Sequence, residues 1–253
     1  MAALLFVSLV PVVLLGLTLR HQLRTSLHAA AAEHLEQRLE LAAAEIDAYV
    51  DLHLQVIRAT AVLPQITDMD AAQQGPVVAA IAQTRKDFSI FHTVDPRGIN
   101  VARSDGGRLQ DYADRQWYQE PIKGKEVTYQ TLVSRTTGKP ALAIAVPVQR
   151  NGAIVGVLQG SLDLEKASGV VNAVKVGQTG FAWLVDAEGK VMAHPDAERI
   201  KQQASAAEHP TVVSARGGAT ATAAFAEDGR RWLGTQQVLP QGWTLVVQMD
   251  EAE

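Results

Sequence analysis

The feature that most constrains the fold of this chain is a hairpin pattern that occurs twice. One copy runs from Val94 to Asp105 and the other from Val185 to Asp196, and both read V-D-x-x-G-x-x-x-A-x-x-D. Each copy follows an apolar stretch, so it predicts a strand, a turn capped by aspartate and closed by a glycine with positive φ, and a second strand. The copies lie roughly ninety residues apart, whereas solenoid repeats reach about fifty residues. The repeat therefore predicts two tandem copies of one small module.

Composition and motifs exclude several classes of function. The 253 residues carry a formal net charge of -4, which provides no basic surface, so we expect no nucleic-acid partner. The sequence contains no cysteine, which excludes disulfides and thiolate metal sites. It also has no H-E-x-x-H, Walker A or G-x-S-x-G motif, and its histidines are scattered without ligand-like spacing. We therefore expect no catalytic residues, no metal site and no cofactor in this segment.

The start of the chain is apolar. Residues 2–19 contain no charged side chain, and this length is close to the minimum for a helix that spans a bilayer. We predict a transmembrane anchor at residues 1–19, with a cleaved signal peptide or a buried core helix as alternatives. Arg20 and Arg24 follow this segment and disagree with the positive-inside rule, but long domains are translocated with little regard to flanking charge. We place the rest of the chain outside the cytoplasm.

A long helix is predicted next, over residues 20–63. Apolar side chains recur there at helical spacing, at Leu19, Leu23, Leu27, Leu35, Leu39, Ala42, Ile46, Val50, Leu54 and Ile57. No glycine or proline interrupts the helix before Pro64. The stripe has two interpretations: it packs on the chain's own domain, or it forms the seam of a homodimer.

The remainder divides into two modules, at residues 64–168 and 169–253. Each contains short apolar segments bounded by turn residues, and Asn151-Gly152 is a strong hairpin signal between two of them. Strands and helices of this length and order predict an α/β chain of the α+β type. The second module is shorter and lacks the cluster of aromatic residues found in the first.

That cluster is the strongest candidate for a binding site. Tyr112, Arg115, Trp117 and Tyr118 lie within a predicted helix over residues 109–122, in a chain with only 5% aromatic residues. A planar guanidinium between aromatic walls is well suited to hold a small carboxylate. The alternative is that the rings fill the core while Arg115 pairs with Asp111 or Asp114.

The order of these segments resembles the double Cache (dCache) family of bacterial extracytoplasmic sensor domains. The resemblance rests on the D-R-x-W-Y segment that begins at Asp114, on the Thr137-Gly138-Lys139 turn before residues 145–148, and on Gly156-Val157-Leu158. It covers nearly everything after the predicted anchor. The resemblance implies two tandem PAS-like modules, each built on an antiparallel sheet, with the ligand bound in the membrane-distal module.

The resemblance also implies roles for individual residues. Arg115 and Trp117 would hold a ligand carboxylate, with Tyr118 beside them. Amino-acid-binding members place acidic residues where this chain has Ser134 and Ser161, and Asp163 follows two residues later. Since a serine hydroxyl suits an oxygen better than an ammonium group, we predict a small organic anion as ligand, with an amino acid as the alternative.

The implied function is the sensing region of a transmembrane signal receptor, and a methyl-accepting chemotaxis receptor is the first choice. A histidine kinase, a diguanylate cyclase and a passive scaffold without ligand are alternatives. We expect the chain in the bacterial inner membrane, with its sensor region in the periplasm, as a homodimer through the long helix.

Overall fold

The computed structural model describes the backbone of residues 2–253 and the side chains from residue 15 onward. Its helices are α1 (Ala2–Ala61), α2 (Pro64–Thr67), α3 (Ala71–Thr84), α4 (Gln116–Gln119), α5 (Leu164–Asn172), α6 (Ala197–Lys201) and α7 (Pro210–Arg216), with a 3-10 turn at Pro121–Lys123. Its strands are β1 (Phe88–Val94), β2 (Asn100–Arg103), β3 (Thr128–Val133), β4 (Pro140–Arg150), β5 (Ala153–Asp163), β6 (Lys175–Val176), β7 (Gly180–Val185), β8 (Val191–Ala193), β9 (Ala223–Glu227), β10 (Arg230–Val238) and β11 (Thr244–Asp250).

The strands form two antiparallel sheets with the same topology. The first sheet has the order β2-β1-β5-β4-β3. In the second sheet β7 pairs with β8 and β11, and the path continues through β10 to β9, with the short β6 as an additional partner of β7. Apart from β6, the two sheets therefore share one strand order. The α+β class and the two similar units are confirmed, with a long helix preceding them.

The duplicated hairpins have nearly identical geometry. In the first copy the amide of Asp95 donates to the carbonyl of Ile99 at 2.8 Å, and the Asp95 carboxylate accepts from the Ile99 amide at 3.0 Å. The carboxylate of Asp186 accepts the equivalent amide at 2.8 Å in the second copy. Gly98 and Gly189 adopt φ values of 90° and 89°. The predicted turn chemistry is confirmed in both copies.

Helix α1 packs along both sheets. Its predicted apolar stripe is buried from Leu35 to Ile57, in contact with strands of both units. Leu19, Leu23 and Leu27 are instead 56%, 63% and 62% exposed. The buried part of the stripe is covered by the chain's own modules and cannot contact a second copy. A homodimer through this helix remains a prediction, and it would have to use other residues of α1.

The predicted anchor at residues 1–19 lies mostly outside the described side chains. Within the part of the chain that the structure describes, no helix combines the length and apolar character needed to cross a bilayer.

Two local features complete the comparison with the sequence pattern. The Asn151-Gly152 hairpin is confirmed, with φ values of 52° and 80° at its two turn residues. Helix α7 was not predicted. It begins at Pro210, whose fixed φ suits the first helical position, and the His209 side chain caps it by accepting from the Thr211 amide.

Candidate ligand-binding site

A cavity lies on the first sheet beneath the segment that precedes and includes α4. Its volume is about 20 Å³, which is room for roughly one water molecule, so a ligand would have to displace part of its walls. Five of the seven predicted site residues line it, namely Tyr112, Arg115, Trp117, Ser134 and Ser161. Residues distant in the sequence therefore converge on one space, because β3 and β5 bring the serines beneath the aromatic segment.

The segment that carries Tyr112 and Arg115 is not helical, so the predicted helix over residues 109–122 is wrong. Only α4 and a following 3-10 turn are helical, and Arg115 is extended at the N-cap of α4, with φ −87° and ψ 134°. The Tyr112 amide donates to the carbonyl of Gly98 at 2.7 Å. The backbone before α4 is thus bound to the first hairpin, and the predicted helical faces do not exist.

Within the part of the chain whose side chains are described, Arg115 forms no ion pair. Asp114 is bound by Arg135, with the Asp114 carboxylate and the Arg135 guanidinium 2.6 Å apart. The Asp111 carboxylate accepts from the Ala113 amide at 2.8 Å. Among the side chains that the structure describes, none accepts a hydrogen bond from the Arg115 guanidinium. The part of the alternative in which Arg115 forms a direct pair with Asp111 or Asp114 is therefore wrong. Its other part is correct, because the Tyr112, Trp117 and Tyr118 rings are buried in a core cluster. The hydrogen bond from Arg135 and, to a smaller extent, the charge of Arg115 lower the pKa of Asp114.

The other polar groups of the cavity can also act as donors. The Ser134 hydroxyl accepts from the amides of Thr136 and Thr137 at 3.2 and 3.3 Å, and the Ser161 hydroxyl accepts from the Gln159 side chain at 2.8 Å. Each serine hydroxyl can therefore still donate its proton to another group in a hydrogen bond. No carboxylate of the described chain lines the cavity. Such a surface is complementary to an anion.

Two further guanidinium groups lie at or behind the cavity, and each is paired with a carboxylate. Arg135 lines the cavity and lies 5.5 Å from the centre of the Tyr112 ring. Behind that ring, Arg103 is buried, donates to the Tyr112 hydroxyl at 3.2 Å and forms an ion pair with Asp105 at 2.7 Å. The hydrogen bond from Arg103 lowers the pKa of Asp105. The Arg103–Asp105 ion pair, through the hydrogen bond from Arg103, fixes the Tyr112 ring in place.

His92 forms the floor of the cavity and is neutral at pH 7. Its ring centre lies 5.4 Å from that of Trp117, edge to face. Its Nδ1 lies 2.6 Å from the Asn100 amide nitrogen, and the oxygen of that amide accepts from Arg103. The Asn100 nitrogen is therefore the donor and Nδ1 the acceptor. Burial, and then the charge of Arg103, lower the pKa of His92 to about 3.

The second module has other residues at the equivalent positions. The Ala206 amide donates to the Gly189 carbonyl at 2.8 Å, as that of Tyr112 does to Gly98, so Ala206 occupies the position of Tyr112. With the same offset along the sequence, His209 lies at the position of Arg115 and Thr211 at the position of Trp117.

The space above the second sheet is filled by an indole ring. Trp183 holds the position that His92 holds in the first hairpin. It is buried, its ring centre lies 4.9 Å from that of His209, and its Nε1 donates to Gln248 at 2.8 Å. The corresponding space of the first module is lined by Arg115 and Arg135 instead.

The architecture agrees with a family comparison. The model of the dCache_1 family, described as Cache domain, matches residues 20–253. The chain belongs to the Cache-domain family. The match begins within α1 and includes both sheets.

Similar proteins are bacterial receptors and their sensory domains. The methyl-accepting chemotaxis protein PscA of Pseudomonas syringae pv. tomato is 26% identical over 183 residues, which are 70% of this chain and 28% of that protein. PctB of Pseudomonas aeruginosa is 28% identical over 111 residues, which are 43% of this chain and 18% of that protein. This Cache chain thus spans less than a third of the length of either relative.

Solved structures share the fold at low identity. The ligand-binding domain of the Pseudomonas fluorescens chemoreceptor CtaA in complex with L-leucine has a TM-score of 0.73 and 20% identity, covering 90% of this chain and 98% of that one. The sensory domain of the Campylobacter jejuni chemoreceptor Tlp3 with isoleucine has a TM-score of 0.71 and 16% identity, covering 90% and 95%. These likenesses establish the fold of the Cache chain.

Two predicted site residues are not brought to the cavity. Strand β5 reaches Asp163, but the Asp163 carboxylate accepts from the Glu165 amide at 2.9 Å and caps α5. Tyr118 follows Trp117 on α4, where successive side chains point in different directions, and it is buried outside the cavity. Burial, then the charges of Asp95 and Asp111, raise the pKa of the Tyr118 hydroxyl.

Other lining residues were not predicted, namely Ile90, His92, Leu132, Arg135, Thr136 and Gln159. A signal for two of them was present in the sequence. His92 and Gln159 are polar residues within apolar strands, and the strand period places Gln159 on the same face as Ser161. A polar side chain inside an apolar strand indicates a lined cavity or a buried hydrogen-bond network.

Because His92 stays neutral in the folded chain down to about pH 3, acid should destabilise the fold. Between pH 6.5 and that value only the unfolded chain takes up this proton, so the free energy of unfolding falls by about 1.4 kcal/mol per pH unit for this group. Urea unfolding at several pH values should show a shallower dependence in His92→Gln. Equal slopes in the two proteins would contradict the assignment. His194, whose pKa is lowered to about 4, contributes in the same direction in both.

Proposed function

We propose that this chain is the sensing region of a transmembrane receptor and that it binds a small carboxylate in the cavity of the first module. The observation that carries the proposal is Arg115, which lines the cavity and forms no hydrogen-bonded ion pair with a described acidic side chain. A bidentate bond to a carboxylate would complete its hydrogen bonding. Trp117 and Tyr112 would exclude water from that bond.

An organic anion fits the rest of the cavity better than an amino acid does. The hydroxyls of Ser134 and Ser161 would donate to further oxygens of the ligand. An amino acid would also need an acceptor for its ammonium group, and the one predicted candidate, Asp163, caps α5. Amino acids remain the second candidate, because the structures of CtaA and Tlp3 hold them.

The receptor assignment follows the relatives. PscA and PctB are methyl-accepting chemotaxis proteins, so we infer the same class for the whole protein, ahead of a histidine kinase or a diguanylate cyclase. We place it in the bacterial inner membrane, anchored by residues 1–19, with the sensor region in the periplasm. A homodimer would form through the exposed side of α1, where Leu23 and Leu27 are available.

Signal transfer would begin at β3. Leu132 and Ser134 line the cavity, while Tyr129, on the opposite face, packs edge to face on Trp243 of the second module at 5.4 Å between ring centres. Widening of the cavity by a ligand would shift β3 against the second module and α1. The ligand would thereby favour one of two packings of the dimer.

Calorimetric titration of the 253-residue chain tests the proposal. Small monocarboxylates and dicarboxylates form one set of ligands, and amino acids with matched side chains form the other. The proposal expects saturable binding of at least one carboxylate that lacks an ammonium group. Binding of amino acids alone would overturn the ligand class, and binding of neither set would overturn the sensing assignment.

A further inference from the structure

The cavity of the first module has one exposed wall. Eight of its eleven lining residues are buried, and Arg115 and Thr136 are half-buried. Among the described residues that line the cavity, only Arg135 is exposed. Because the space holds about one water molecule, a ligand has to displace part of the lining. The Arg135 side chain is the part that is displaced most easily, since water already surrounds much of it.

Contacts in reach of water hold Arg135 over the cavity. Its guanidinium forms the ion pair with Asp114 and donates to the main-chain carbonyl of Asp111, both at 2.6 Å. The exposed fractions of the Arg135 and Asp114 side chains are 35% and 62%. An ion pair in such contact with water contributes little to stability, because solvent screens the charges and both side chains lose freedom. A ligand carboxylate could therefore replace that of Asp114 with little loss of free energy.

The backbone of the β3–β4 turn, which carries Arg135, is held independently of that ion pair. Within the turn, the Gly138 amide donates to the Ser134 carbonyl at 2.8 Å. From the first hairpin, the buried Arg103 side chain donates to the Thr136 hydroxyl at 3.0 Å. Only the side chain of Arg135 therefore has to move, and its backbone stays beside the cavity.

The charges of the lining match a ligand with two acidic groups. Arg115 and Arg135 line one small space, and no carboxylate of the described chain lines it with them. Each guanidinium fork can bind one carboxylate through two parallel hydrogen bonds. The hydroxyls of Ser134 and Ser161 add further donors. Because the space is small, the two carboxylates have to be close together.

We propose that Arg135 is a specificity-determining residue that selects short dicarboxylates over monocarboxylates. This inference rests on the carboxylate site proposed above. Arg115 would bind one carboxylate of the ligand, and Arg135 would exchange Asp114 for the other. The Tyr112 ring, 5.5 Å from the Arg135 guanidinium and fixed by Arg103, would keep Arg135 at the cavity during this exchange. A monocarboxylate would displace Arg135 without giving it a new partner.

Calorimetry of the 253-residue chain with pairs of acids of equal carbon number tests this selectivity. Malonate, succinate and glutarate are compared with propionate, butyrate and pentanoate. At least one dicarboxylate should bind about tenfold more tightly than its monocarboxylate. Arg135→Ala should weaken that dicarboxylate about tenfold and leave the affinity for the monocarboxylate unchanged or higher. Arg150→Ala removes another exposed arginine that is paired with an aspartate, and it should bind both acids like the wild type.

A second variant tests the exchange itself. Asp114→Asn removes the carboxylate that competes for Arg135, so it should strengthen dicarboxylate binding by up to about fivefold. Urea unfolding checks that each variant is folded. Equal affinities within every pair, a preference that survives Arg135→Ala, or weaker dicarboxylate binding in Asp114→Asn would overturn this inference and leave the carboxylate site standing. Binding of none of the six acids would overturn both.

Discussion

Replacing Arg115 with alanine should weaken binding of a carboxylate ligand roughly a hundredfold, which corresponds to about 2.7 kcal/mol. The guanidinium has no acidic partner to leave behind in the described chain, so its removal creates no new unpaired charge. The effect should therefore appear in the dissociation constant and leave the free energy of unfolding nearly unchanged. Calorimetry for binding and urea unfolding for stability measure the two quantities separately.

Two further variants sharpen this prediction. Arg115→Lys keeps the charge but loses the bidentate fork, so it should retain part of the affinity. Arg97→Ala removes a cation that is 82% exposed on the other side of the hairpin and should bind like the wild type. Equal losses of affinity in Arg97→Ala and Arg115→Ala would mean that affinity depends only on the net charge of the protein. No loss in Arg115→Ala would remove Arg115 from the site.

Alanine at Gly98 should cost about 3 kcal/mol of stability and also impair the site. The residue has a φ of 90°, which strains any side chain, and an added Cβ would lie 2.6 Å from that of Ala113 and 2.8 Å from its backbone. Relief of this contact must move the segment that carries Tyr112 and Arg115. Thermal and urea unfolding should show the loss, and titration of the folded variant should show weaker carboxylate binding.

The internal repeat provides a matched control for this effect. Gly189 has a φ of 89°, and an added Cβ would lie 2.7 Å from that of Ala207. Gly189→Ala should destabilise the chain by a similar amount yet leave carboxylate affinity near the wild-type value. Gly106→Ala, with a φ of 62° and open space around it, isolates the cost of the backbone angle at about 1 kcal/mol. Equal loss of affinity in Gly98→Ala and Gly189→Ala would contradict the assignment of the site to the first module.

Local turn chemistry explains what could be predicted from the sequence. The two aspartate-glycine hairpins and the Asn151-Gly152 turn depend on neighbouring residues, so their motifs identify them directly. The apolar stripe of α1 likewise follows from spacing. The surface that covers this stripe could not be predicted, because the same periodicity is compatible with burial against the same chain or against a second copy.

The site residues were harder to predict where long-range contacts override local preference. The segment before α4 has the composition of a helix, yet the hydrogen bond from Tyr112 to Gly98 holds it against the hairpin. Arg135, from the turn between β3 and β4, forms the ion pair with Asp114 that the sequence suggested for Arg115. Asp163 lies next to the expected position but is used as a helix cap. These outcomes depend on which groups meet in space.

A crystal structure of the chain with its tightest-binding carboxylate would test the central claim most directly. We expect a ligand carboxylate within hydrogen-bonding distance of the Arg115 guanidinium, between the Trp117 ring and the Ser134 and Ser161 hydroxyls. A ligand bound elsewhere, with Arg115 turned to solvent, would contradict the account.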